Sequence, residues 1–381
     1  MQSVGSTTKA LPEYDYTVAK LFLFTTLIFG IVGMLIGVVL AFQMASPSLN
    51  YLAGEFGTFS RLRPLHTNGI IYGFTLSGIW AGWYYLGQRV LKISYYEHPF
   101  LRIVGLLHFW VYLALMVLAV LSLFAGMSQS KEYSELVWPL DLLVVVVWVL
   151  WGISLFGSMA VRREQTVYIS LWYFMATFVA IATLYIFNNL SIPTYFVAGT
   201  GDIFHSISFY AGTNDAMVQW WFGHNAVAFV FTSAVIGLIY YFLPKESGQP
   251  IFSYKLTLFS FWSLIFVYVW AGGHHLIYST VPDWMQTLGS VFSVVLILPS
   301  WELPSICSSQ CADNGTNSRA LRSSNSLCSQ APGICLPHSK DLSNLSNLSM
   351  RLRTSQTGLS DTSMTRHWAG LPSQSSQLCI T

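Results

Sequence analysis

Residues 217–243 read "MVQWWFGHNAVAFVFTSAVIGLIYYFL". The run contains no Asp, Glu, Lys or Arg. At about 1.5 Å per residue it is longer than the roughly 30 Å hydrocarbon core of a bilayer. In lipid only a helix satisfies its own backbone N–H and C=O groups without a partner segment, so the run is read as a membrane-spanning helix. One ionisable side chain, His224, lies about two turns inside it. Such groups are costly in a bilayer and usually face the bundle interior or a cofactor.

The same apolar pattern recurs on both sides of this stretch. Spans are expected near 19–43, 66–87, 101–126, 137–160, 168–188 and 254–278, with an eighth beginning near 284. Turn chemistry separates them: "SPSLN" at 46–50, "EHP" at 97–99 and "LPKESGQP" at 243–250. Over the 381 residues 54% are hydrophobic and 9% charged, against about 25% charged in a soluble domain. The expected fold is all-α, a polytopic transmembrane bundle of seven or eight helices. An N-terminal segment (1–18) precedes a membrane domain (19–301). The formal charge of +2 gives no reason to expect a nucleic-acid partner. The first apolar run is a long helix, not the short core of a cleaved signal.

Basic residues divide unevenly between the two sets of loops. Lys9, Lys20, Arg89, Lys92, Arg102, Arg162, Arg163, Lys245 and Lys255 lie on one side; only Arg61, Arg63 and Lys131 lie on the other. The positive-inside rule places the N-terminus in the cytoplasm. With that orientation His66, His224 and the pair His274–His275 gather at one depth, towards the outer face. A single membrane histidine is ordinarily a hydrogen-bonded packing residue, which is the reading for His108; His98 and His205 fall in loops. The adjacent pair is different. Neighbours on a helix diverge by about 100°, so both reach one ion only at a helix end or a distortion, which Gly272 and Gly273 permit. Three imidazoles with an open position suit copper or another first-row metal.

"LRPLHTN", "WWFGHNAV" and "YVWAGGHHLIYSTVPDWMQTLGSVFSV" together resemble subunit I of the haem–copper oxidases, specifically the cbb3-type cytochrome c oxidases. The resemblance covers about residues 15–301. It implies that His66 ligates a low-spin haem b and that His224, His274 and His275 hold the active-site copper. Tyr268 matches a tyrosine that the family bonds covalently to the sixth-span copper ligand. Many other oxidases of the superfamily carry their tyrosine one turn after that ligand, where this chain has Ala228. The resemblance further implies a catalytic subunit that reduces O2 to water with electrons from cytochrome c and pumps protons. Its partners would be other oxidase subunits, including membrane-anchored c-type cytochromes, in the bacterial inner membrane. Arg61 and Arg63 are candidate partners of haem propionates, since Arg pairs carboxylates well; snorkelling to lipid headgroups is the competing explanation. Two other readings stay open. A nitric oxide reductase-like member would share the histidines, but those proteins carry glutamates in the corresponding helices, and 217–243 and 254–278 contain no Asp or Glu. A polytopic transporter without redox centres would account for the spans alone.

After Trp301 the composition changes. Residues 302–381 carry 18 serines and all five cysteines. The family continues there with more helices, one bearing an H-x-H pair that ligates the high-spin haem b3 and completes the low-spin haem. This sequence has no such pair, and His338 and His367 stand isolated. The genetic code offers an explanation. Each residue junction can be read as the third base of one codon plus the first two of the next. Residues 357–370, "TGLSDTSMTRHWAG", are then compatible with W-T-I-G-H-V-H-D-S-A-L-G-W, the way that helix begins in the family. Met364–Thr365 forces Asp, His367–Trp368 forces Leu and Trp368–Ala369 forces Gly. The expectation is that 302–381 is family coding sequence in a shifted frame; a disordered polar tail is the alternative. The chain would then lack the ligand of haem b3 and be inactive alone.

Overall fold

A computed structural model describes residues 12–51, 54–195 and 204–312. Lys9 and the tail beyond 312, with His338, His367, Cys328, Cys335 and Cys379, lie outside the described residues. Helices α1 (Thr17–Ala45), α2 (Phe59–Asn68), α3 (Ser77–Leu91), α4 (Pro99–Phe124), α5 (Trp138–Ala160) and α6 (Ile169–Asn188) come first. A two-stranded antiparallel hairpin, β1 (Ser191–Pro193) and β2 (Ser206–Ser208), follows. Then come α7 (Thr213–Val227), α8 (Ala234–Ser247), α9 (Tyr254–Ala271), α10 (Asp283–Val295) and α11 (Ile297–Ala312).

Among the described residues seven helical runs are long and apolar enough to cross a membrane, so the protein is a multi-pass all-α membrane bundle. The remaining expected span, 66–87, lies inside a longer run, 59–91, that is helical throughout, but its middle, Gly69–Leu76, is π-helix. It begins at Phe59, earlier than the apolar run, because Arg61 and Arg63 belong to its first turns. The sixth span has the same construction: α7 passes through a π stretch, Ala228–Ser233, into α8. The seventh ends in a 3-10 turn, Gly272–Leu276. The eighth continues as α11 past Trp301 to Ala312.

Helix ends follow local chemistry. Pro99 opens α4, where its missing N–H is no loss. The Ser253 side chain accepts from Leu256 N to cap α9. Gly248, at φ 70°, closes α8 in the left-handed conformation that glycine adopts without strain.

Burial orders the spans. The sixth is 67% buried and the first 22%, which puts the sixth at the centre of the bundle and the first at its edge. Large side chains such as Trp80, Trp83, Trp151, Phe174, Phe222 and Phe229 fill the interior. Phe24, Ile31 and Phe266 point outward, as lipid-facing positions should.

Candidate metal centre

Spans six and seven bring His224, His274 and His275 together. Their ligand atoms all lie within 4.8 Å of one another. His224 Nδ1 is 3.3 Å from His275 Nε2, and the His224 and His274 rings meet edge-on at 4.6 Å. The 3-10 turn resolves the geometric objection to an adjacent pair. It tightens the backbone where the two side chains leave the helix, and their rings end up 4.4 Å apart.

The glycines also serve close packing around the turn. Gly272 has ordinary helical dihedrals, so its value is close approach. A Cβ there would stand 2.6 Å from Trp220 O, on span six. A Cβ at Gly273 would meet Met285 O at 2.5 Å, and one at Gly289 would meet His274 N at 2.3 Å. Spans six, seven and eight therefore touch backbone to backbone around the histidines.

Hydrogen bonds fix the His274 tautomer. Ser293 Oγ donates to Gly289 O at 2.7 Å, so at 2.6 Å it accepts from His274 Nδ1–H. Nε2 then keeps its lone pair for a metal, the usual arrangement of a ligating histidine. His275 stacks on Trp220, rings 4.1 Å apart at 16°, and is exposed. Ser293, Trp220 and Gly289 were not singled out from the sequence. Only Trp220 had a signal there, since it lies one helical turn before His224. Tyr268 is 6% exposed, with its ring 5.4 Å from that of His224. A set of imidazole nitrogens converging from two helices fits copper.

His66 stands apart from this cluster. Its Nδ1 is 2.8 Å from Gly33 O on α1. A carbonyl only accepts, so Nδ1 carries the proton and Nε2 is the ligand-competent nitrogen. Gly37 makes room for the ring: a Cβ there would come within 2.6 Å of it. Arg61 pairs with Glu55 at 3.5 Å and donates to Phe124 O at 3.1 Å. Arg63 spans Glu132 at 3.2 Å and Glu135 at 3.6 Å. Both arginines thus sit beside His66 in sequence and are held by protein acceptors. His108 is a buried packing residue, with Nδ1 3.0 Å from the Tyr84 hydroxyl.

Comparison with known proteins bears on what this centre is. Residues 17–358 match the family model for cytochrome c and quinol oxidase polypeptide I. The chain is 43% identical over 288 residues to the cbb3-type cytochrome c oxidase subunit CcoN1 of Stutzerimonas stutzeri, covering 76% of this chain and 58% of that protein. It is 43% identical over 305 residues to cytochrome c oxidase subunit 1 of Rhodobacter capsulatus, covering 79% and 55%. Similarity to cytochrome c oxidase subunit 1 of Synechocystis sp. is 21% over 299 residues, covering 73% and 53%. The chain spans a little over half the length of these curated relatives. The family is one of haem and copper proteins. A match running through nearly the whole membrane bundle, with the imidazole cluster on the helices the motifs specify, makes this chain a member of the haem–copper oxidase subunit I family.

Proposed function

We propose that this chain is the membrane core of the catalytic subunit of a cbb3-type terminal oxidase, which reduces O2 to water with electrons from cytochrome c and couples this to proton pumping. One observation carries the reading: three imidazoles converge within 4.8 Å with a buried phenol, Tyr268, against the first of them. His224, His274 and His275 would hold copper. His66 would be an axial ligand of low-spin haem b through Nε2, its Nδ1–H held by Gly33 O. Arg61 and Arg63 would face the haem propionates. Bound haem and copper supply the redox equivalents and the place where O2 binds.

The chain's own residues do the positioning. The close glycine contacts hold the imidazoles in register, Ser293 sets one tautomer, and Tyr268 holds a proton and an oxidisable ring beside His224. The location is the bacterial inner membrane with the N-terminus in the cytoplasm, in complex with further oxidase subunits that include membrane-anchored c-type cytochromes. The 381 residues contain no H-x-H pair. On this reading they do not hold high-spin haem b3 and do not turn over alone.

The test is to sequence the gene and restore the alternative frame after codon 301. Co-expressed with its partner subunits, the restored chain should consume O2 and show a high-spin haem in its reduced-minus-oxidised spectrum, and Tyr268→Phe should abolish O2 uptake. Stop codons across the alternative frame would end the frame hypothesis. Undiminished O2 uptake in the unrestored chain would end the claim of inactivity. A restored chain that reduces nitric oxide but not O2, indifferent to Tyr268→Phe, would favour the nitric oxide reductase reading.

A further inference from the structure

The helix ends on the face that carries the N-terminal segment hold a cluster of tyrosines and cations that no part of the redox reading uses. Tyr14 and Tyr16 immediately precede α1, Tyr85 and Arg89 lie in the last two turns of α3, and Tyr241 and Lys245 lie near the end of α8. The Arg89 guanidinium carbon sits 4.8 Å from the centre of the Tyr85 ring, with the Tyr14 and Tyr16 rings at 5.5 and 5.6 Å. The Lys245 ammonium lies over the same Tyr85 ring at 5.4 Å and over Tyr241 at 5.3 Å. Two positive charges are therefore held on one aromatic ring.

Their hydrogen bonds leave the cluster rich in donors. Arg89 donates through Nε to the Tyr16 hydroxyl at 2.8 Å, which keeps the outer fork of the guanidinium available. Lys245 donates to the hydroxyls of Tyr85 at 3.3 Å and Tyr241 at 3.4 Å. Each of those phenols, having accepted, has its own proton to give. Three other cations on this face are neutralised: Lys92 by Glu164 at 2.6 Å, Arg102 by Asp15 at 2.8 Å and Arg163 by Glu97 at 2.8 Å. Among the described residues neither Arg89 nor Lys245 has a carboxylate within ion-pair distance. An open groove lined by Val90, Tyr168, Tyr241 and Lys245 adjoins the cluster; Glu164, which also lines it, is the carboxylate committed to Lys92.

Converging donors, two cations and no counter-carboxylate fit a ligand that only accepts hydrogen bonds and carries negative charge, which is the description of a phosphate. Its depth selects the source. The cluster lies where the membrane helices end, at headgroup level, and Leu23 and Phe24 on the next turns of α1 are exposed apolar surface on which acyl chains can lie. We propose that Tyr16, Tyr85, Arg89, Tyr241 and Lys245 form a binding site for the phosphodiester headgroup of an anionic phospholipid.

The experiment uses the full chain, purified and delipidated, with lipid binding read by native mass spectrometry. Dioleoylphosphatidylglycerol should be retained in preference to dioleoylphosphatidylcholine. The double variant Arg89→Gln/Lys245→Gln should weaken phosphatidylglycerol retention by roughly ten- to thirty-fold, the factor expected for two cations at an anionic headgroup. Lys245→Arg, which keeps the charge, should keep the preference. Arg162→Gln/Lys255→Gln, on the same face but outside the cluster, should also keep it. The proposal is overturned if the double variant retains the preference, if the control pair loses as much, or if Lys245→Arg abolishes it. Displacement of phosphatidylglycerol by an equal concentration of inorganic phosphate would assign the site to a soluble anion and likewise overturn it.

Discussion

At the scale of single residues the centre depends on proton placement as much as on ligand count. His274 serves as a ligand only with its proton on Nδ1, and Ser293 is what receives that proton, because its own hydrogen goes to Gly289 O. Ser293→Ala removes the acceptor and leaves the tautomer unfixed. Copper affinity should fall by roughly 10- to 100-fold, the range for loss of such a partner, while the unfolding midpoint barely moves. Competition with a chelator of known affinity measures it; unchanged affinity would remove Ser293 from the site. The clustered histidines are conspicuous in the sequence as candidate ligands, since an apolar run makes each one stand out. Ser293 was not, because serine on a membrane helix ordinarily bonds back to its own backbone and carries no mark of a second partner.

Among the elements, both spans that carry a lone candidate histidine, the second and the sixth, pass into π-helix just after it, and the seventh tightens to 3-10 at the pair. Such departures from α-helix concentrate at functional sites. The span boundaries were readable from hydropathy. The changes of helix type were not, because "GIIYGFTL" and "AFVFTS" differ in no obvious way from ordinary membrane helix. Gly272 and Gly273 lie in that 3-10 turn, and they also allow backbone contact, which depends on neighbours a linear sequence does not display. Gly289→Ala places a methyl 2.3 Å from His274 N and 2.4 Å from Gly273 C, both backbone atoms that cannot swing away. A cost of about 3 kcal/mol or more is expected. Gly30→Ala, whose Cβ meets only the movable Phe74 ring at 2.8 Å, should cost clearly less. Thermal unfolding in detergent ranks the two, and equal losses would contradict the contact account.

At the scale of the whole molecule, the loop between α4 and α5 binds distant spans together. Lys131 reaches Asp215 at the start of α7, and Glu135 accepts from Asn68 Nδ2 at 2.8 Å and pairs with Arg63. Burial pushes the Glu135 carboxyl above its ordinary range, against the opposing pull of Asn68 and Arg63. The folded protein therefore holds that proton to higher pH than the unfolded chain. The linked stability is full below the ordinary carboxyl value of about 4.3 and is lost as pH rises through the folded one. Glu135→Gln should flatten this part of the stability profile as pH rises above about 4.3; a profile with the wild-type slope would exclude Glu135 as its source. The overall bundle was legible because lipid permits few architectures. The shifted-frame expectation for 302–381 rests on codon arithmetic alone, which no packing constraint checks. The central claim is that spans six and seven build a copper site from their own three histidines. It is tested most directly by loading the purified chain with copper, removing loosely held metal and measuring copper per chain by mass spectrometry. The account predicts one copper per chain in the wild type, and none above background in His224→Ala or His274→Ala. Equal copper in wild type and variants, or none in the wild type, would contradict it.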